Sequence, residues 1–144
     1  MPYTSHARDV REALKKILEA EDDLDARIIE GPVSEVQINF PLIVVGVVAE
    51  RLEAAALGRI YDRILTVRID CYEKDLDSER GMEKIEGMAD KIIDVLVSNY
   101  ALTVDSNTTV RLIDNFSIAY DLVAEGDLWL RVASITCTTE TVKS

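Results

Sequence analysis

"FPLIVVGVV", residues 40–48, sets eight apolar side chains and one glycine in a row with no polar break. It is far short of the roughly 18 apolar residues that a membrane span needs, and too β-branched to favour a helix. An uninterrupted β-branched run is the mark of a strand covered on both faces, because it reserves no side for water. Helices of the same chain supply one cover. The other comes either from the remaining strands of the domain or from a neighbouring copy, and the residues alone leave both open. Pro41 near the strand's start costs at most one ladder hydrogen bond.

Upstream, "TSHARDVREALKKILEAEDDL" repeats Val10, Ala13, Leu14, Ile17 and Leu18 at helical spacing, with Thr4 or Ser5 as the cap. The acidic set Glu19, Glu21, Asp22, Asp23 and Asp25 faces the negative end of the helix dipole and should fray the helix near Ala20 to Leu24. A short "ARIIEGP" then meets the Gly31-Pro32 break. Downstream, residues 49–59, "AERLEAAALGR", read equally as a short helix or as the variable connection of a hairpin.

"ILTVRIDCY" alternates, with Leu65, Val67, Ile69 and Cys71 on one face and Thr66, Arg68 and Asp70 on the other, which predicts a half-buried strand. Met82, Ile85, Ala89, Ile92, Ile93 and Leu96 form one stripe of a second helix that starts near Asp77 or Ser78. In "VRLIDNFSIAYDLV", Leu112, Phe116, Ile118, Tyr120 and Leu122 share a side, with Asp114 as the exception. A turn at Gly126 leads to a last strand from Leu128, and residues 138–144 read as an edge strand or a tail. The expectation is α+β: helix-strand-strand-helix-strand-strand, a mostly antiparallel sheet with two helices on one face, in a single domain over residues 1–144.

At 144 residues with 48% hydrophobic and 30% charged content, the chain is of a size and composition that folds as one ordered unit. Its net charge of -11 opposes a nonspecific grip on nucleic acid phosphates, while an acidic wall lets DNA pass without holding it. Two cysteines, Cys71 and Cys137, exclude a four-thiolate metal site and read as buried free thiols. The start "MPYTSHARDVREALKK" has no apolar core of a signal peptide, so synthesis and retention in a cytoplasm are expected, without a membrane.

Residue chemistry points away from catalysis. His6 is the only histidine, and one imidazole builds neither a triad nor a metal site. The acidic segment around Asp22 lacks the spacing and central glycine of an EF-hand loop. Gly81 and Gly87 fall inside a helical pattern with no following Lys-Ser or Lys-Thr, so no phosphate loop is present. Trp129, between Leu128 and Leu130, has no basic groove beside it and reads as core or interface. No catalytic, cofactor or metal residue is expected.

The leading helix, the Gly-Pro break, "FPLIVVG", the regular strand "ILTVRIDCY" and the helix carrying "MADKIIDVLVSN" before two final strands resemble the tail terminator, or tail completion, proteins of long-tailed viruses of bacteria and archaea. The likeness spans roughly residues 5 to 138. It implies a virion structural protein, or a prophage-encoded equivalent, assembled in the host cytoplasm. Six copies would form a ring that caps the tail tube and meets the head connector. Its partners would be itself, the tail tube protein, the head completion protein and double-stranded DNA passing through unbound. Where the family often has an acidic residue directly after the glycine, this chain waits until Glu50.

On that resemblance, Phe40, Leu42, Val44, Glu50, Arg51, Glu53, Arg59 and Trp129 are candidate contacts between subunits or partners. Glu19, Glu21, Asp22, Asp23 and Asp25 are candidates for the lumen wall or for solvated outer surface. Two other classes stay open: a small ferredoxin-like binding or regulatory module acting as a dimer, and a magnesium-dependent hydrolase built on clustered carboxylates.

Overall fold

The computed structural model describes residues 7–21, 24, 26–30, 41–54, 61–74, 78–105, 108–125 and 128–143. The elements are α1 (Ala7–Glu19), β1 (Arg27–Glu30), β2 (Leu42–Ala54), β3 (Tyr61–Lys74), α2 (Ser78–Ser98), β4 (Ala101–Asp105), β5 (Thr108–Glu125) and β6 (Leu128–Lys143). The strands form one sheet in the order β1-β2-β3-β6-β5-β4, antiparallel throughout except for the parallel pair β1 and β2.

The α+β class, the two helices and the mostly antiparallel sheet agree with the sequence. The element order needs correction, because β1 and β4 are strands that the expected helix-strand-strand-helix-strand-strand order omits. Both are short and lie at the ends of the sheet. Each holds too few residues for alternation to stand out, and each is a strand because a longer neighbour offers it a ladder.

The apolar stripes meet in one core. Val10, Leu14 and Leu18 of α1 and Ile85, Ala89, Ile92 and Leu96 of α2 cluster with Ile43, Val45, Leu65, Val67, Ile69, Cys71, Ala133, Ile135 and Cys137. The register sets Ile43 against Cys71, Val45 against Ile69, and Ile69 against Ile135, so these strand residues share one face and the helices cover it. Ile28 of β1 and Leu102 of β4 join the same cluster. α1 touches β1 and β2 at one end of the strand order and β4 at the other, so the sheet curls about its helical layer.

The helix ends follow the local chemistry. α1 stops at Glu19, and the turn beyond it is held by Ala20 N–H to Lys16 O at 3.1 Å and Glu21 N–H to Leu18 O at 3.2 Å. The helix thus stops where the acidic run begins, next to the stretch from Ala20 where the sequence expects it to fray. At the end of α2 the Asn99 amide donates to Val95 O at 2.8 Å and satisfies a carbonyl of the last turn.

Two boundary expectations are overturned. Residues 49–54 are neither helix nor connection, since β2 runs on to Ala54 and pairs rung by rung with β3 from Ala49↔Thr66 to Ala54↔Tyr61. Strand pairing overrides the helix propensity of Ala49, Glu50 and Leu52. Residues 55–60 lie outside the described residues. Residues 138–140 are neither edge nor tail, because β6 there sits inside the sheet between β3 and β5, while residues 141–143 are strand paired with β5 alone. The threonines there suit a β-strand, and Thr139 is fully buried with its hydroxyl donating to Leu65 O at 3.4 Å.

Two irregularities shape the long strands. The register of β2 and β3 shifts at Val48, between Val47↔Val67 and Ala49↔Thr66. That bulge lets Glu50 fall opposite Leu65. In β5 the shift between Ile113↔Thr138 and Ser117↔Thr136 leaves residues 114–116 facing the single position of Cys137. Two extra residues preserve the alternation, so Asp114, the exception in the sequence pattern, sits in the irregular stretch.

Candidate assembly surface

From Leu42 to Val45 the opening segment is buried within a single copy. Leu42 is 2% and Val44 6% exposed, on the face turned away from the helices, while Ile43 and Val45 are fully buried beneath them. Leu42 and Val44 are thus corrected as contact candidates: their apolar surface needs no second subunit for cover. Exposure begins only past Gly46, where Val48 in the bulge is 50% exposed and Ala49 and Arg51 face solvent. Glu50 is half-buried.

Phe40 and Arg59 lie outside the described residues, as does the side chain of Glu53. Of the proposed contacts, Arg51 and Trp129 are open to solvent, at opposite ends of the sheet's length. Among the acidic candidates, Glu19 is exposed, and Glu21 lines a shallow recess with Lys91 and Asp94 of α2. Asp22, Asp23 and Asp25 lie outside the described residues.

Trp129 has company that the sequence pattern hid. Ala124↔Trp129, Leu122↔Arg131 and Tyr120↔Ala133 are consecutive same-face rungs of the β5–β6 hairpin, on the side where the helices lie. α2 does not reach far enough to cover them. Tyr120 (51%), Leu122 (39%) and Trp129 (54%) therefore remain exposed, with Met82 (45%) across a groove of ≈ 280 Å³ between the first turns of α2 and the hairpin. Met82 belongs to the apolar stripe of α2, yet at that position the stripe has outrun the core.

The groove is apolar with an acidic margin. The Tyr120 phenol is held above its ordinary value, first by partial burial and then by the carboxylates of Asp90 and Glu86. Asp121 and Arg131 complete the rim. An exposed cluster of one tryptophan, one tyrosine, a leucine and a methionine is the composition that protein contacts favour.

The rest of the molecule offers little chemistry. Among the described residues, no group of three or more His, Cys, Asp or Glu lies placed to hold a metal ion, and no helix is long and apolar enough to cross a membrane. Cys71 and Cys137 are free and buried, and burial pushes their thiols up to about 12 and about 11, the charge of Asp70 adding to the first. Thiols so protonated are poor nucleophiles. His6 lies outside the described residues.

No family model matches the chain, and no curated protein matches it. Among solved structures, the chain resembles one from the virion of a native gene transfer agent particle, with a TM-score of 0.61 at 14% identity. The likeness covers 94% of this chain and 95% of that one, so the two share a fold from end to end rather than a common submotif.

Proposed function

We propose that the protein is a virion structural component that closes the end of a tail tube and joins it to the head connector as a ring of six copies. The observation that carries this reading is the end-to-end fold likeness to a chain of a virion particle, at nearly equal length. Two features of the chain support it. The aromatic cluster of Tyr120 and Trp129 is left open by a single copy, as an assembling subunit requires. The net charge of -11 per copy makes the wall of a central hole repel DNA instead of retaining it. The protein needs no substrate for such a role and acts by geometry, as a stop for tube growth and a docking face for the head. It is not an enzyme.

Negative-stain imaging of the purified protein at high concentration, paired with light scattering, tests the reading. Annular particles of six subunits are expected. A species that stays monomeric at every protein and salt concentration, and that fails to bind purified tail tubes, refutes it.

A further inference from the structure

The sheet ends in two unequal edges. β4 pairs only with Thr108 to Arg111 of β5, so from Ser117 to Glu125 that strand is bonded on one side, to β6, and nothing among the described residues pairs with the other. Leu122 N–H donates to Asp121 Oδ1 at 2.8 Å, which places this N–H on the open edge. By alternation the N–H groups of Tyr120 and Ala124 point the same way. Ser117, Ala119, Tyr120, Asp121 and Leu122 are all exposed. A long open edge with apolar side chains is a template for pairing with another strand.

The occupant is constrained by charge. From Ser117 to Glu125 the edge carries Asp121 and Glu125 and no cation, so pairing with the same edge of another copy would bring like charges together. At the far end of the sheet, β1 pairs among the described residues only with β2, and the Arg27 N–H is taken by Pro41 O at 3.1 Å. Alternation then turns the N–H groups of Ile28 and Glu30 outward. Arg27 is exposed there, and Arg11 of α1 lies 3.8 Å from Glu30. One edge is acidic, the other carries arginine, and they stand at opposite ends of one sheet.

We infer that the open edge of β5, Ser117 to Glu125, receives β1 of a second copy, with Arg27 set against Asp121, so that the sheets of successive subunits run on into one another. A contact between two different surfaces of the same chain repeats head to tail and closes when the rotation allows. The inference rests on the self-assembly in the function proposed above, and it names the strands that make the contact. On binding, the incoming strand's carbonyls replace the Asp121 carboxylate at the Leu122 N–H.

Two experiments test it. Leu122→Pro removes an outward N–H, at a position an edge strand tolerates, together with the leucine side chain, so it is read against Leu122→Ala, which keeps the N–H: self-association should be about tenfold weaker in the proline than in the alanine variant while the far-UV circular dichroism of both stays native. Separately, Arg27→Cys and Asp121→Cys proteins are mixed and oxidised. A disulfide-linked dimer is expected in the mixture and in neither variant alone, the native thiols being buried. If Leu122→Pro does not fold, the disulfide arm decides. Rings from folded Leu122→Pro at wild-type concentrations, or links formed in Asp121→Cys alone, overturn the inference and leave the ring standing. Mixed links in open chains without annuli support the inference and refute the ring. A wild type monomeric at every concentration overturns both.

Discussion

Arg68 Nε donates to Asp70 Oδ2 at 3.1 Å within one strand, on the sheet face turned away from both helices. Asp70 is only 7% exposed, opposite Val44 and Ser134, and its Oδ1 is buried without a hydrogen-bond partner among the described residues. Among the described residues the guanidinium is thus the one side-chain donor to a carboxylate largely withdrawn from water. Arg68→Ala should cost about 1 kcal/mol, the Arg68 side chain being half exposed and its contribution screened accordingly. The double variant Arg68→Ala/Asp70→Ala should lose less than the two single changes together, as read in urea unfolding. Strict additivity would show that the pair does not interact.

The two thiols give a pH dependence. Their folded values, about 12 for Cys71 and about 11 for Cys137, lie above the ordinary 9.0, so the unfolded chain releases these protons first. Their stabilising effect is complete below pH 9 and is lost as pH rises through that window toward 11 and 12. Denaturation midpoints should fall between pH 9 and 11, and less so in a Cys137→Ala variant compared with its own value at pH 8. At pH 8 a thiol reagent should modify neither cysteine until denaturant is added. Fast modification of the native protein would contradict the burial.

Gly87 lies on the exposed side of α2, and a Cβ placed there meets no atom within 4 Å. Gly87→Ala should therefore raise stability by about 0.5–1 kcal/mol through helix propensity alone, seen as a higher thermal midpoint with unchanged assembly. A loss of stability would mean that the helix face is packed against something.

Trp129 and Ile135 occupy the same face of β6, three rungs of alternation apart, one exposed and one fully buried. Ile135→Ala should cost about 2–5 kcal/mol by opening a cavity in the core. Trp129→Ser should leave monomer stability within about 0.5 kcal/mol and weaken self-association, as followed by light scattering across a dilution series. Unchanged assembly in Trp129→Ser would remove this side chain from the contact.

Where periodicity was long and unbroken, the sequence was a sufficient guide. Leu65, Val67, Ile69 and Cys71 are all buried on one face, and Val10, Leu14 and Leu18 line the inner side of α1. Alternation misplaced Asp70, whose burial depends on neighbours across the sheet rather than on its own strand. Helix formers in residues 49–54 concealed a strand that exists because β3 continues beside it. Leu42 to Val45 correctly read as a doubly covered stretch of strand, but the cover over Leu42 and Val44 lies within the copy itself. Of the exposed cluster only Trp129 stood out in the sequence, because exposure of Tyr120 and Leu122 is set by where α2 happens to begin. The open edge of β5 was invisible for the same reason: a strand order is not written in any one strand.

That order has a consequence for biogenesis. In chain order β6 follows every other strand of this sheet, yet it lies mid-sheet and joins β3 to β5. The hairpin of β2 and β3 is made from neighbours in sequence, but the free edge of β3 is filled only by residues far along the chain, so closing the sheet is a long-range step.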